Sequence, residues 1–376
     1  MAASQTIHLR KRRIFRVFTH ICRVIFALTF IFSGAVKSMD PWGTALNVNN
    51  YLVTYGLEFF KPLVMAFSIW LCGAELMMGC MLLFKVRIRM CSTFALISMI
   101  FFTILTFFSA TFMPVEDCGC FGDVIKLSPW QSFIKNLVLL PLITVVWWRY
   151  RPDRMFAFSR LEFAMATFFC IFSMGVGTYS YLHLPPVDLL PYKVGTNISQ
   201  AMDEARNRQA DSDVVLVYRN RRTGKLREFS IDDKAWHNES RWEWVDTRVT
   251  SDMTDRVEPM ILEFYIADDR GEVTDSLLSV KGNLYMLCVT NRDNIGKKCE
   301  ERLRSVVERA AEEQAAVICL TPEPITRPTY HSFAGSEQVR CYNIDSKTMK
   351  TMLRANTGLV VLADGVISRK ANCTDI

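Results

Sequence analysis

Long parts of the first half of this 376-residue chain have no charge, and that absence decides most of its organisation. Half of the residues are hydrophobic and 22% are charged, so a mean hydropathy of +0.15 requires the two kinds to be segregated. They are: uncharged runs fill the first half, whereas the stretch from about residue 186 has the mixed composition of a water-soluble domain. Histidine is scarce. His8, His20, His183, His237 and His331 stand at no ligand spacing, and no further cysteine or histidine pair lies near the one close cysteine pair, which argues against a metal site. Also missing are a phosphate loop, an H-E-x-x-H zinc helix, a G-x-S-x-G elbow and a C-x-x-C-H haem attachment, so each of those chemistries lacks its residues. The net charge of +6 does not mark a nucleic-acid partner, because the excess Lys and Arg sit in short clusters between apolar runs rather than on one face of a domain.

Five stretches reach the roughly 20 apolar residues of a spanning helix, which makes a lipid bilayer the surroundings of the first half. They run from about Ile14 to Val36, Leu63 to Phe84, Met90 to Met113, Trp130 to Trp148 and Phe163 to Leu182. Lys135, Asn136 and Pro141 interrupt the fourth, while Trp130, Trp147 and Trp148 suit its two interfaces. A basic RKRRIFR segment precedes the first, but GAVKSMDP offers no A-x-A cleavage site, so that run reads as a retained anchor. Lys and Arg favour cytoplasmic loops. The clusters within 10–16, 85–89 and 149–160 hold twelve of them on one side of the spans, against Lys37, Lys61 and Lys126 on the other. The amino terminus is therefore expected in the cytoplasm, with everything after residue 183, and the stretch EDCGCFGD at 116–123, outside.

Of the twelve cysteines, Cys22, Cys72, Cys80, Cys91 and Cys170 lie within spans, where a free thiol packs as a small hydrophobe. Cys72 stands one turn from Glu75, the only charge in its span, and the i, i+3 spacing puts both on one helix face. A carboxylate there is a functional candidate, read either as the partner of Lys37 or Lys135 or as a proton relay. Cys118 and Cys120 differ from the rest. They fall on the side where oxidised thiols persist, they follow Glu116 and Asp117, and Gly119 between them can bend enough to let an i, i+2 pair meet. A bridge over so small a ring is strained and readily reduced, which makes the pair a candidate catalytic thiol/disulfide. A bridge to another cysteine and the absence of thiol chemistry are the other readings.

These residues also carry a resemblance. DCGCFGD after a third apolar helix, FIFSGAVKSMDPWGTA closing the first, the following NNYL, and CGAELMMG in the second together resemble the DoxX and MauE group of membrane proteins. HLPPVDLLPYKVGTNI after the last span is similar to the junction in Bacteroidetes-type members that append an extracytoplasmic domain. The resemblance implies an α-helical bundle with a four-helix core over residues 1–157, plus a fifth transmembrane helix and linker over 158–185. It further implies an inner-membrane protein with a periplasmic outer domain, taking part in disulfide maturation of the methylamine-utilisation type. Cys118 and Cys120 would then exchange with an exported protein thiol partner, and likeness to quinone-linked thiol oxidases makes a quinone the candidate electron acceptor. Those oxidases use C-x-x-C and a second external pair, and residues 37–61 hold no such pair. The competing reading is a non-catalytic DoxX-like scaffold or accessory subunit whose outer domain binds a protein.

Residues 259–376 resemble a thioredoxin-like α/β domain without C-x-x-C, reached through a β-rich connecting segment over 186–258. FYIADDRGEVTDSLL reads as an entry hairpin, LYMLCVT, AAVICLT and VRCYNI as strands, and Lys297 to Glu313 as an amphipathic helix. Ser346 is the expected N-cap of SKTMKTMLRAN, and Asp364-Gly365 the expected turn of a closing hairpin. Cys299 alone lies near the position of a thioredoxin's reactive pair, as a candidate single reactive or partner-binding thiol. Thr357 stands where that fold places its cis-proline. Cys288, Cys319 and Cys341 are expected in buried strands, and Cys373 in the polar tail is expected free. DVVLVYRNRRTGKLREFSIDD reads as a hairpin over which Trp236, Trp242 and Trp244 pack, with a carbohydrate or peptide platform as the alternative.

Overall fold

A computed structural model describes residues 2–112, 119, 122, 125, 127–151, 159–188, 190–210, 213–222, 224–230, 241–250, 261 and 264–376. Its membrane half consists of α1 (Ala2–Met39), α2 (Pro41–Thr54), a 3-10 turn (Glu58–Leu63), α3 (Val64–Leu83), α4 (Ile88–Thr111), α5 (Pro129–Tyr150) and α6 (Arg160–Leu182). Five segments are long and apolar enough to cross a membrane: Arg13–Met39, Glu58–Leu83, Ile88–Thr111, Pro129–Tyr150 and Arg160–Leu182. Each overlaps an expected run. α5 continues through Pro141. A capping box starts it, Ser128 and Gln131 each bonding the other's backbone N–H, and Asn136 turns inward to Thr106 at 3.3 Å.

Small residues set how closely the helices approach. A Cβ on Gly34 of α1 would stand 2.4 Å from the Leu76 backbone nitrogen of α3, and one on Gly79 would stand 2.7 Å from that of Ile31. Without side chains at those points α1 and α3 pack backbone to backbone. The core is five helices rather than four with one appended: α6 lies along α3, where Gly177 meets Ile69, Gly73 meets Met174, and the ring of Tyr181 stacks 5.9 Å from Trp42. Arg23, buried in α1, donates to the carbonyls of Leu82 and Leu83 at the end of α3.

The C-terminal, sheet-rich half adds α7 (Ile198–Ala210), β1 (Asp213–Asn220), β2 (Leu226–Ser230), β3 (Trp242–Thr250), β4 (Ile266–Ala267), α8 (Thr274–Leu278), β5 (Asn283–Val289), α9 (Lys297–Glu312), β6 (Ala316–Thr321), β7 (Tyr330–Ser332), β8 (Gln338–Ile344), α10 (Ser346–Leu353), β9 (Thr357–Ala363) and β10 (Val366–Asn372). β1 to β3 form an antiparallel sheet with β1 central. The larger sheet runs β10-β9-β5-β6-β8-β4, with β7 on β8; β5, β6 and β8 are parallel, and β9 runs against β5. Alternation along β5 divides two cores: Leu284, Met286 and Cys288 face α7, α8 and α10, whereas Tyr285, Leu287 and Val289 face α9. The Asp364-Gly365 turn forms with φ of +49° and +79°, as its type requires. Two local expectations are corrected. Asp345, not Ser346, caps α10, its carboxylate accepting from the Thr348 N–H at 2.8 Å; it lies outside the helix, where its side chain can fold back onto the free amides. The expected entry hairpin is reduced to β4 and a bridge from Ala267 to Glu272, and its second arm coils into α8.

Candidate functional site

Cys118 and Cys120 lie outside the described residues, but two glycines of their stretch are described. Gly119 has φ +61°, and a Cβ on it would stand 2.5 Å from the side-chain nitrogen of Asn47 in α2. A Cβ on Gly122 would meet Val36 of α1 at 3.5 Å, and the Gly122 N–H donates to the Gly119 carbonyl at 3.2 Å. Both glycines thus lie at the corner where α1 passes into α2. That corner follows from its sequence: Asp40 caps α2, accepting from the Gly43 N–H at 3.0 Å, and Pro41 supplies the first helical residue.

Beneath the corner is a polar layer. The Cys72 thiol, buried in α3, stands 3.5 Å from the Thr44 hydroxyl, and Thr44 is one turn along α2 from Asn47. One turn further along α3, Glu75 accepts from the Lys37 ammonium at 2.7 Å. Of the partners that the sequence offers Glu75, this structure brings up Lys37. The pair leaves each side chain less than a fifth exposed, so both charges are balanced where water is sparse.

The C-terminal, sheet-rich half closes the corner from the other side. Asp40 accepts from the buried Arg354 guanidinium at 2.9 Å through its second oxygen, and the Lys350 ammonium lies 5.9 Å over the Trp42 ring. Asp40 therefore both caps α2 and holds the C-terminal end of α10. Sequence reasoning missed Asp40, Thr44, Asn47 and Arg354. The D-P step was a legible helix start, but nothing near Arg354 announces a partner some 300 positions away.

Outer-domain thiols depart from expectation at two positions. Cys299 is neither single nor free: it forms a disulfide with Cys373, whose tail folds back beside the start of α9. Cys288, Cys319 and Cys341 are buried as expected, and burial pushes the Cys288 thiol up to about 12. Among the tryptophans, Trp236 lies outside the described residues, Trp242 packs edge-on to Phe229 at 4.8 Å, and Trp244 is exposed. No three His, Cys, Asp or Glu side chains gather as a metal site among the described residues. No curated protein and no solved structure matches the chain. The family model described as methylamine utilisation protein MauE matches residues 15–149, so the stretch that carries α1 to α5 and the C-G-C corner is MauE-like.

Proposed function

We propose that this is an inner-membrane protein, amino terminus inside and outer domain in the periplasm, whose Cys118 and Cys120 exchange thiol for disulfide with exported proteins. The observation that carries the reading is the placement of Gly119: left-handed, between the two cysteines, against α2 at the corner that also meets the outer domain. A glycine there lets the chain turn back on itself between two thiols, which an i, i+2 disulfide requires. The MauE match over the same residues and the lysine and arginine asymmetry support the location and the orientation. In the exchange, a partner thiolate attacks one sulfur of the Cys118–Cys120 bridge and the S–S bond breaks, leaving a mixed disulfide and a free thiolate. The partner's second thiolate then displaces the remaining sulfur. The partner departs oxidised, and its two protons stay with Cys118 and Cys120.

The strand order of the larger sheet, with parallel β5, β6 and β8 flanked by antiparallel β9, supports a thioredoxin-like reading of the outer domain, here a docking element without a C-x-x-C. Glu75 enters as a proton relay only through its bond to Lys37. No step is routed through a quinone. The test replaces both cysteines by serine in cells and follows the redox state of exported disulfide proteins. Accumulation of reduced partners is expected, and unchanged partner oxidation would favour the DoxX-like scaffold.

A further inference from the structure

The Cys299–Cys373 disulfide joins residues 74 apart in sequence, with Cα atoms 5.6 Å apart. Cys299 packs at the edge of the core under α9, but the bond itself is not what holds the sheet together. It lies past the end of the sheet: the β9–β10 ladder already runs to Gly358 and Asn372, and the Cys373 N–H donates to the Thr357 carbonyl at 3.2 Å. The strand is therefore anchored without it. Both cysteines are half-buried, and Cys299 stands in the first turn of α9, where Gly296 provides no side-chain cap and Lys297 and Lys298 adjoin. A thiolate released at that place is stabilised by the helix terminus, with Lys297 and Lys298 on one side of it in sequence and Glu300 and Glu301 on the other.

The residues around Cys373 also grip the last span. The Asn372 amide donates to the Leu182 carbonyl at 2.9 Å, the Thr374 hydroxyl donates to the same carbonyl, and Asp375 pairs with His183 at 2.6 Å. On the other side, Arg302 of α9 donates to the Cys373 carbonyl at 2.6 Å. The bond thus fastens to α9 the segment that ties the outer domain to the end of α6.

We propose that Cys299–Cys373 is an exchange site for an exported dithiol protein, and that its opening releases the hold of Thr374 and Asp375 on the last span. The inference goes beyond the exchange at Cys118 and Cys120 and shares with that reading only the periplasmic placement of this domain. The partner thiolate attacks the Cys373 sulfur, and the bonding pair leaves on the Cys299 sulfur at the helix start. The partner's second thiolate then attacks its own sulfur in the mixed disulfide, and Cys373 leaves as a thiolate. The partner's two thiol protons end on Cys299 and Cys373, so the partner is oxidised and this pair reduced.

The full chain carrying Cys118→Ser and Cys120→Ser, in lipid nanodiscs, is titrated with dithiothreitol as the dithiol. Alkylation at 299 and 373 is mapped by mass spectrometry, amide exchange is followed over residues 373–376, and tryptophan fluorescence reports the fold. Both cysteines are expected to become alkylated while the fluorescence is unchanged, with exchange in the tail faster by about tenfold or more. A bond that opens only as the fold is lost, or a tail that keeps its protection after reduction, overturns the proposal. Cys299→Ser with Cys373→Ser provides a reductant-free reference, expected to show the same fast tail exchange. Because Cys118 and Cys120 are absent throughout, failure here leaves the other exchange site unaffected.

Discussion

Lys37 and Glu75 show what single residues contribute at the corner, because each charge depends on the other. Glu75→Gln removes the carboxylate that the Lys37 ammonium meets at 2.7 Å between α1 and α3 and is expected to cost roughly 3–5 kcal/mol, as is Lys37→Met. The double change to Met and Gln should recover most of that loss, and chemical denaturation of the purified variants measures it. Partner oxidation separates the roles: if Glu75 relays protons, the double variant stays inactive although its stability returns. A second residue-scale prediction concerns acid. Burial holds the His331 imidazole below its usual range. The unfolded chain therefore takes up that proton first, and the outer domain should lose stability as pH falls through about 6.5. Glu323 adds a second loss with the same sign at lower pH: burial alone would raise its carboxyl, but the Arg292 N–H and guanidinium hold it below the ordinary range. Thermal melts between about pH 7.5 and 5.5 should show the first decline, and His331→Gln should flatten it. Neither partner set was legible beforehand. Glu75 stood out by being charged among apolar residues, but the choice of Lys37 over Lys135 depends on how the helices cross.

The helices themselves were the most legible elements, since lack of charge over a span's length has few explanations. Their crossings were not, because a glycine in an apolar run carries no sign of what faces it. Gly34→Ala tests the α1–α3 approach: its Cβ would enter the Leu76 backbone, which cannot yield as a side chain end can, and a loss of about 1–3 kcal/mol is expected. Gly175→Ala in α6 is the control, with open space around it and better helix propensity, and should be neutral or slightly stabilising. Gly119→Ala should act differently from Gly34→Ala. The Asn47 side chain can swing away, so the left-handed backbone, at roughly 1–2 kcal/mol, sets the cost. The strands β5 and β6 were readable as continuous apolar runs because both their faces are covered, whereas β8 interrupts its apolar residues with Arg340 and Asn343. Ser346 lost the capping position to Asp345 because two adjacent capping residues leave the register of a helix start open by one.

At the scale of the molecule, segregation of charge foretold a membrane half and a second, sheet-rich half, but not how they meet. The contact runs through Arg354, Lys350 and the tail at 372–375, against Asp40, Trp42 and the end of α6. These joins link positions far apart in the chain, as does the Cys299–Cys373 bond, and local pattern carries no trace of them. Their arrangement places a domain over the corner at which the C-G-C glycine lies, and it is this corner that the proposed exchange uses. The most direct test labels intact cells with a membrane-impermeant maleimide before and after graded dithiothreitol, comparing the natural chain with Cys118→Ser and with Cys120→Ser. The account predicts a Cys118–Cys120 disulfide that opens at low reductant, with one single variant accumulating a mixed disulfide with an exported protein. Thiols that are free throughout, or a bridge that resists reduction with nothing trapped, would contradict it.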